Sequence, residues 1–385
     1  MTKILSVVGA RPNFMKIAPF VRAIEEYNNL NGDRQIMHIL VHTGQHYDIR
    51  MSGSFFASLG IPDPDVNLEV GSGSHSEQVG QTMIAIEKVL LKERPDWLVV
   101  VGDVNATLAC SVAAKKLGIK VCHIEAGLRS GDMSMPEEIN RLVTDRLSDL
   151  LLTPDTISSE NLRKEGMPEK SIVFVGNIMI DTLEENREKA AALQIKNIIG
   201  NNLVDGFSFD ADSFDESRYA LMTIHRPSNV DEKEVFGPLT GFLINEVSTR
   251  LPLVWPIHPR ARKNLERFGL WEQVRDNANI LMLEPLGYQE MLRMNMGAAV
   301  MLTDSGGLQE ECCVLGTPCL TLRWNTERPV TLKEFGGAGV LVGNNVSRIR
   351  EEFLNTLAGE SVPLRPELWD GNTARRCVEA IVNFR

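Results

Sequence analysis

Short apolar runs alternate with longer amphipathic stretches along this chain of 385 residues, from "KILSVV" near the start to "GVLV" near position 340. Such alternation is typical of strand–helix–strand units arranged around a parallel sheet. It pauses at one polar stretch and then restarts, and the length is about twice that of a common domain. We therefore predict an α/β fold with two Rossmann-like, doubly wound parallel sheets, in two domains that face a central cleft.

The apolar runs place the predicted elements. In the first half, strands are expected at 3–8, 36–42, 97–101, 119–124, 149–153 and 171–176. Helices are expected at 13–28, 48–58, 75–93, 105–117, 136–147, 156–165 and 179–195. In the second half, strands are expected at 219–224, 253–257, 279–283, 298–302, 318–322 and 339–342.

The predicted domains are 1–176 and 177–366, with 367–385 as a terminal helix that packs back on the first domain. The polar stretch 197–216, "NIIGNNLVDGFSFDADSFDE", is interpreted as a surface insertion.

Charge and cysteine usage exclude several classes of protein. The net charge of −11 argues against nucleic acid or anionic membrane as a partner, because both favour basic surfaces. The six cysteines form no C-x-x-C motif, so neither a disulfide framework nor a metal site is expected. No apolar run approaches the ~20 residues of a membrane span, and the start does not resemble a signal peptide. We predict a cytoplasmic protein.

Ligands of doubly wound sheets bind at the carboxyl ends of the strands, and charged residues follow several predicted strands. In "VVGARPNFMK", Arg11 and Lys16 flank the start of a helix, where an anion is favoured. A plain strand–helix turn is the alternative.

Carboxylates gather after two further strands. Asp103 follows "WLVVV", Glu125 follows "KVCHI", and Glu137 begins a helix that also carries Arg141. Carboxylates brought together cannot all stay ionised cheaply, so one pKa should rise, which would provide an acid and a base near neutral pH. The alternatives are a helix cap at Asp103 and a solvated acidic loop after Glu125.

In the second half, the residues that follow two predicted strands suit a phosphate. In "MLTDSGGLQEE", Ser305, Gly306 and Gly307 open a helix whose N–H groups can bind an anion, and Glu311 lies one turn further. Arg328 follows the next strand. A tight turn without a ligand is the alternative.

A histidine and an arginine also end a strand of the second half. His225 and Arg226 follow the strand at 219–224, where a histidine can donate to a phosphate or carry a proton. A structural histidine is the alternative. Together these groups suit a diphosphate-linked sugar, with one half binding the nucleotide and the other carrying the chemistry.

The ordered motifs resemble those of the non-hydrolysing UDP-N-acetylglucosamine 2-epimerases over about residues 3–380. They are "GARPNFMK", "HTGQHYD", "GDVNATLA", "HIEAGLRS…MPEEINR", "IHRPSN", "TDSGGLQEE" and "TERP". The resemblance implies a GT-B architecture, a homodimer, and interconversion of UDP-N-acetylglucosamine and UDP-N-acetylmannosamine without a cofactor. It implies anti elimination of UDP through 2-acetamidoglucal, followed by re-addition.

The resemblance also implies roles for single residues. Catalytic roles carry over to Asp103, Glu125, Glu137 and His225. Roles in binding UDP or the sugar are expected for Arg11, Lys16, Arg141, Arg226, Ser305, Gly306, Gly307, Glu311 and Arg328.

Some positions depart from the pattern of the best-known bacterial members. The histidine stretch reads His225-Arg226-Pro227-Ser228, and the P-E-E segment lacks an inserted Pro-Trp pair. These differences leave room for a modified sugar. A hydrolysing epimerase, a GT-B glycosyltransferase and a non-catalytic UDP-sugar-binding regulator remain as alternatives.

Overall fold

The computed structural model describes residues 1–9, 11–32, 34–44, 62–359 and 362–384, apart from the side chains of residues 11 and 12. The chain divides into two compact units. Unit 1 comprises Met1–Thr182 and Pro366–Arg385, and unit 2 comprises Leu183–Arg365. The helix predicted at 48–58 lies outside the described residues.

The strands of the described chain are numbered in chain order. They are β1 (Thr2–Val8), β2 (Ile36–His42), β3 (Val66–Asn67), β4 (Trp97–Val101), β5 (Lys120–Ile124), β6 (Leu150–Thr153), β7 (Ile172–Phe174), β8 (Ala220–Thr223), β9 (Leu253–Pro256), β10 (Ile280–Leu283), β11 (Val300–Thr303), β12 (Cys319–Thr321) and β13 (Gly339–Leu341).

The helices are numbered in the same way. They are α1 (Arg11–Leu30), α2 (His75–Glu93), α3 (Asn105–Lys116), α4 (Pro136–Leu147), α5 (Thr156–Lys164), α6 (Ile178–Ala191), α7 (Ile195–Asn202), α8 (Pro227–Val230), α9 (Lys233–Phe242), α10 (Pro259–Arg267), α11 (Trp271–Arg275), α12 (Tyr288–Gly297), α13 (Gly306–Leu315), α14 (Val346–Ala358) and α15 (Thr373–Asn383). None of these described helices meets the length and apolarity that a membrane span requires.

Each unit is built on one parallel sheet. The sheet of unit 1 has the order β3-β2-β1-β4-β5-β6-β7, and that of unit 2 has the order β10-β9-β8-β11-β12-β13. In each sheet the strand order reverses at its first strand, between β1 and β4 in unit 1 and between β8 and β11 in unit 2. This is the Rossmann-like arrangement predicted from the alternation. A crevice suited to ligands lies beside the strand ends at such a reversal.

Helices cover the sheets, which explains why the strands are mostly apolar. All five residues of β4 are buried, as expected for a parallel strand with both faces covered. In unit 1, Leu98 and Val100 of β4 pack with Ile86 and Leu90 of α2. In unit 2, alternate residues of each strand enter two different cores, so that Trp255 and its neighbour Val254 lie on opposite faces.

The interpretation of 197–216 as a surface insertion fits residues 205–213, which are mostly exposed, but it is wrong for the two ends of the stretch. Residues Ile195, Ile198 and Ile199 of α7 are buried, and they pack in one core cluster with Phe214 and Leu221. The backbone N–H of residue 204 also donates to the Met282 carbonyl at 2.9 Å. The isoleucines have the i, i+3, i+4 spacing of an amphipathic helix, which the surrounding polar residues concealed.

The C-terminal helix belongs to unit 1. Asp181 accepts hydrogen bonds from the N–H groups of Thr373 and Ala374, at 3.0 and 2.7 Å, and thereby caps the start of α15. The indole N–H of Trp369 donates to the Pro154 carbonyl at 2.9 Å. These contacts fix the last segment on the first sheet and its helices.

Candidate active site

Two predicted acids of unit 1 follow neighbouring strands at the sheet's reversal. Asp103 comes two residues after β4, and Glu125 comes directly after β5. The strands are held in register there, because the Gly102 N–H donates to the Ile124 carbonyl at 3.1 Å. Glu125 has a left-handed backbone, with φ of 71°, which is uncommon for a non-glycine residue and is found at functional sites.

Lys16 of α1 forms an ion pair with Glu125, and both side chains are almost fully buried. A buried carboxylate is costly unless a cation compensates it, so this pair is required for Glu125 to lie where it does. The structure thus places Lys16 beside a predicted catalytic acid of its own unit.

Gly102 leaves the space that this ion pair occupies. Its φ is +68°, and a Cβ there would lie 3.2 Å from Lys16 Nζ and 3.3 Å from a Glu125 oxygen. We expect Gly102→Ala to destabilise unit 1 by about 1–2 kcal/mol through its left-handed backbone. The thermal unfolding midpoint should fall by about 2–8 °C. An unchanged midpoint would show that the loop adapts without strain.

Asp103 is held by Arg141, whose guanidinium is buried. Arg141 contacts the Asp103 carboxylate at 2.5 Å and the Glu138 carboxylate at 2.5 Å. Although burial alone would raise the pKa of Glu138, N–H donors of Ser130 and Gly131 and the Arg141 guanidinium lower it. Arg141, predicted to bind substrate, therefore has two carboxylate partners within unit 1.

Asp103 and Glu137 line the same cavity, which has a volume of about 320 Å³. The other lining residues are mostly polar: Gly73, His75, Gln78, Val104, Asn105, Pro136 and Asn140. Asn140 donates to the Asp103 carbonyl at 2.8 Å and fixes the loop. We name Asp103, Glu125 and Glu137 the carboxylate site. The cavity contains polar groups that can bind the hydroxyl and amide groups of a sugar, and it also contains two acids that can exchange a proton.

In unit 2, His225 is oriented by Asp304, a residue that the sequence analysis missed. Asp304 is fully buried and lies 2.9 Å from His225 Nδ1. It also accepts the N–H groups of His225 and Arg226, at 3.0 and 2.8 Å. Burial would raise the pKa of Asp304, but these donors lower it. With Nδ1 bound to a carboxylate, Nε2 is the nitrogen that His225 presents to a ligand.

Ser305, Gly306 and Gly307, named here the glycine cradle, form the start of α13. Ser305 is extended and the two glycines begin the helix, so their N–H groups belong to a turn without helical acceptors. A Cβ on Gly306 would lie 2.8 Å from a Glu327 oxygen and 2.9 Å from an Arg328 nitrogen. The cradle and the Arg328 side chain therefore lie in direct contact.

The charge of Arg328 is largely compensated within unit 2. Its guanidinium lies 2.6 Å from Glu310 and also forms an ion pair with Glu327. Glu327 is shared with Arg323, at 2.7 Å. The predicted cation is therefore part of a buried network with a balanced charge. The sequence analysis missed Glu310, although its position next to Glu311 on α13 was available as a signal.

Glu311 is buried in α13, and Tyr288 lies close to it. Burial raises the pKa of Glu311 to about 7, and Tyr288 partly opposes that shift. Neither the Tyr288 hydroxyl nor Glu311 Oε2 makes a hydrogen bond of normal geometry within the described part of the chain. Glu311 thus retains acceptor capacity, and its expected contact with the ribose stays a prediction.

The raised pKa predicts a pH-dependent stability. Between the ordinary value of 4.5 and about 7, the native state binds more protons at Glu311 than the unfolded chain, so stability falls as pH rises through this window. Glu311→Gln removes the free-energy cost of ionising a buried carboxyl group. We expect the variant to match the wild type at pH 5 and to exceed it by about 3 kcal/mol at pH 8, measured by unfolding at both values. An equal difference at both pH values would contradict the assignment.

The remaining predicted residues fall in different places. The side chain of Arg11 lies outside the part of the chain that the structure describes. Arg226 donates from Nε to the Asp304 carbonyl at 3.0 Å, so it lies beside His225. A larger surface groove of about 880 Å³ in unit 2 is lined by residues such as Asp231 and Lys263 and includes no predicted site residue. Within the described ranges, no cluster of His, Cys, Asp and Glu suits a metal ion.

The known proteins that this chain resembles are nucleotide-sugar 2-epimerases. The sequence model of the family described as UDP-N-acetylglucosamine 2-epimerase matches residues 28–382. A UDP-N-acetylglucosamine 2-epimerase of Methanocaldococcus jannaschii is 43% identical over 349 residues, 90% of each chain. A UDP-2,3-diacetamido-2,3-dideoxy-D-glucuronate 2-epimerase of Pseudomonas aeruginosa is 39% identical over 377 residues, 97% of each chain.

The structural comparison agrees with the sequence comparison. A crystal structure of the Methanocaldococcus jannaschii UDP-GlcNAc 2-epimerase, in complex with UDP-GlcNAc and UDP, superposes with a TM-score of 0.85. The identity is 38%, and the match covers 99% of each chain. The sheets and helices described above are therefore those of a nucleotide-sugar epimerase fold.

Proposed function

Because the chain belongs to the UDP-N-acetylglucosamine 2-epimerase family, we propose that it inverts C2 of a UDP-linked N-acetylhexosamine, with UDP-N-acetylglucosamine and UDP-N-acetylmannosamine as the pair. The observation that carries the proposal is the cavity of unit 1 that Asp103 and Glu137 line together. Inversion needs a proton to be removed from one face of a carbon and returned to the other. Two carboxylates in one polar cavity supply the groups for both steps.

The reaction has two halves. A carboxylate of the carboxylate site takes the C2 proton while the C1–O bond breaks, so that 2-acetamidoglucal and UDP form. In the second half, a proton is delivered to the opposite face of C2 and UDP re-forms its bond to C1. Acid–base groups typically contribute about 10²–10⁴ in rate. The elimination and the re-addition together require no oxidant or reductant.

The surroundings of the acids support different roles for them in removing and returning the C2 proton. Asp103 lines the cavity and contacts the Arg141 guanidinium, whereas Glu125 is almost fully buried against the Lys16 ammonium. We assign Asp103 as the group that takes the C2 proton. Glu137 is exposed and lines the same cavity, so we assign it to the opposite face.

Unit 2 is proposed to bind the UDP. The N–H groups of the glycine cradle and the α13 dipole suit the diphosphate, and His225 Nε2 is proposed to donate to it as negative charge develops. Because the C2 proton is a poor acid, stabilising the departing UDP matters most. One such preorganised donor is worth about 3 kcal/mol in other enzymes. Glu311 is proposed to accept from the ribose.

A modified sugar is the second candidate. The Pseudomonas aeruginosa relative carries the name of a diacetamido-glucuronate epimerase and matches nearly the whole chain. The departures at Pro227 and Ser228 and in the P-E-E segment also distinguish this chain from the best-known bacterial pattern. Homodimer formation remains an expectation from the resemblance, and a cytoplasmic location remains an expectation from the sequence.

Product analysis tests the proposal. The purified protein is incubated separately with UDP-N-acetylglucosamine and with UDP-2,3-diacetamido-2,3-dideoxyglucuronate, and the nucleotide sugars and free sugars are separated by ion-exchange chromatography. Appearance of UDP-N-acetylmannosamine supports the leading proposal. Conversion of the second substrate alone identifies the modified sugar. Free N-acetylmannosamine with UDP indicates a hydrolysing enzyme, and tight UDP binding without any product indicates a regulator.

A further inference from the structure

A buried ion pair lies directly behind the carboxylate site. His123, in β5, and Asp145, in α4, are both fully buried, and their side chains lie 2.6 Å apart. The other ring nitrogen of His123 lies 2.8 Å from the Gly102 carbonyl. Because a carbonyl can only accept, that nitrogen is the donor. The sequence analysis gave His123 and Asp145 no role, and neither lines the cavity.

The pair connects the three segments that carry the proposed acids. Through His123 it holds Gly102, the residue before Asp103. The second oxygen of Asp145 accepts the Gly127 N–H at 3.0 Å, two residues after Glu125. Asp145 itself lies in α4, which begins at Pro136 and carries Glu137 in its first turn.

Charged neighbours hold the Asp145 carboxylate in this position. Arg129 lies 2.7 Å from the Asp145 oxygen that binds Gly127, and its other end forms an ion pair with Glu165 at 2.7 Å. Burial alone would raise the pKa of Asp145, but His123 and Arg129 lower it. Asp145 therefore remains a carboxylate acceptor, with both oxygens engaged by donors. Ions buried in this way are fixed in position, because each would be strongly destabilised without its partners.

We propose that His123 and Asp145 are positioning residues, which hold the loops of Asp103 and Glu125 and the start of α4 in one geometry and thereby set turnover but not UDP binding. This inference rests on the proposed function, in which those acids act on the sugar. A displacement of about 1 Å at reacting groups can lower a rate about 10²-fold, so such fixation has a large kinetic effect.

The same strand provides a matched control. At the other end of β5, Asp149 accepts the Val121 N–H at 2.8 Å and two hydrogen bonds from Lys115, at 2.9 and 3.0 Å. Asp149 thus joins one backbone N–H and one cation, whereas Asp145 joins one backbone N–H, His123 and Arg129. It lies at the opposite edge of the sheet from the strand ends that carry the acids. Asp149→Asn should cost stability without affecting turnover.

The experiment compares Asp145→Asn with Asp149→Asn in the full-length protein. We expect Asp145→Asn to lower kcat by about 10- to 100-fold while the Kd for UDP, from calorimetry, stays within about twofold. We expect hydrogen–deuterium exchange to accelerate in segments 102–107 and 125–131 of this variant. In Asp149→Asn, kcat should stay within about twofold, and exchange should change around 119–122.

The inference is overturned if Asp145→Asn and Asp149→Asn have equal kcat and if segments 102–107 and 125–131 exchange at the wild-type rate. If Asp145→Asn fails to fold, His123→Gln is measured instead. The glutamine NH₂ group can still donate to the Gly102 carbonyl, but its carbonyl oxygen then faces Asp145 and cannot donate to it. A wild-type protein without turnover would refute the proposed function, and the exchange data would then decide the positioning role alone.

Discussion

Replacing Asp103 with asparagine should lower the rate of epimerisation by about 10²–10⁴-fold, the contribution typical of a general acid–base group. Asparagine is nearly the same size as aspartate and can still form hydrogen bonds with solvent in the cavity, but it cannot take the C2 proton. UDP affinity should stay within about threefold, because the proposed UDP contacts belong to unit 2. The measurements are the steady-state rate of epimer formation and the Kd for UDP by calorimetry.

Asp96→Asn is the matched control for this variant. Asp96 precedes β4, the strand that Asp103 follows, and its carboxylate accepts the Lys3 N–H at 2.8 Å. It therefore lies at the opposite end of the same strand. Its replacement should leave turnover within about twofold. Near-normal turnover in Asp103→Asn would show that another residue takes the proton, with Glu125 and Glu137 the next to test.

Replacing Gly306 with alanine should weaken UDP binding by about 10- to 100-fold, the equivalent of losing one hydrogen bond to a charged group. The added methyl group would lie within 3 Å of Glu327 and Arg328, and both side chains are buried in an ion-pair network. These side chains or the start of α13 must shift, and either change disturbs the glycine cradle. Calorimetric titration with UDP measures the loss.

Gly237→Ala provides the control for that substitution. Gly237 lies within α9 of the same unit, and a Cβ there would meet no atom within 4 Å. Alanine should stabilise this helix by about 0.5–1 kcal/mol and leave UDP binding unchanged. Equal UDP affinity in Gly306→Ala and Gly237→Ala would refute the assignment of the cradle to the diphosphate.

Much of the fold could be predicted because it depends on local patterns. The apolar runs identified the long strands, and the strand ends identified the candidate site residues. The prediction failed where a pattern was short or mixed with polar residues. Thus β3 has only two residues and was not predicted, and the isoleucines of α7 were hidden in a polar stretch.

The site could be predicted less well, because side-chain pairing depends on contacts across long sequence separations. Asp304 contacts His225 across 79 positions, and Arg141 contacts Asp103 across 38. A strand-end position identifies a candidate residue but gives no information on its partner. Arg141, for example, contacts the Asp103 and Glu138 carboxylates, and its expected contact with the substrate stays a prediction.

Solvent deuterium incorporation tests the central claim, that unit 1 removes a proton from C2 of the sugar. The protein is incubated with UDP-N-acetylglucosamine in deuterated water, and the C2 proton is followed by NMR. We expect that proton signal to vanish from both epimers as they equilibrate, with deuterium in its place. Epimer formation with the original C2 proton fully retained would contradict the account.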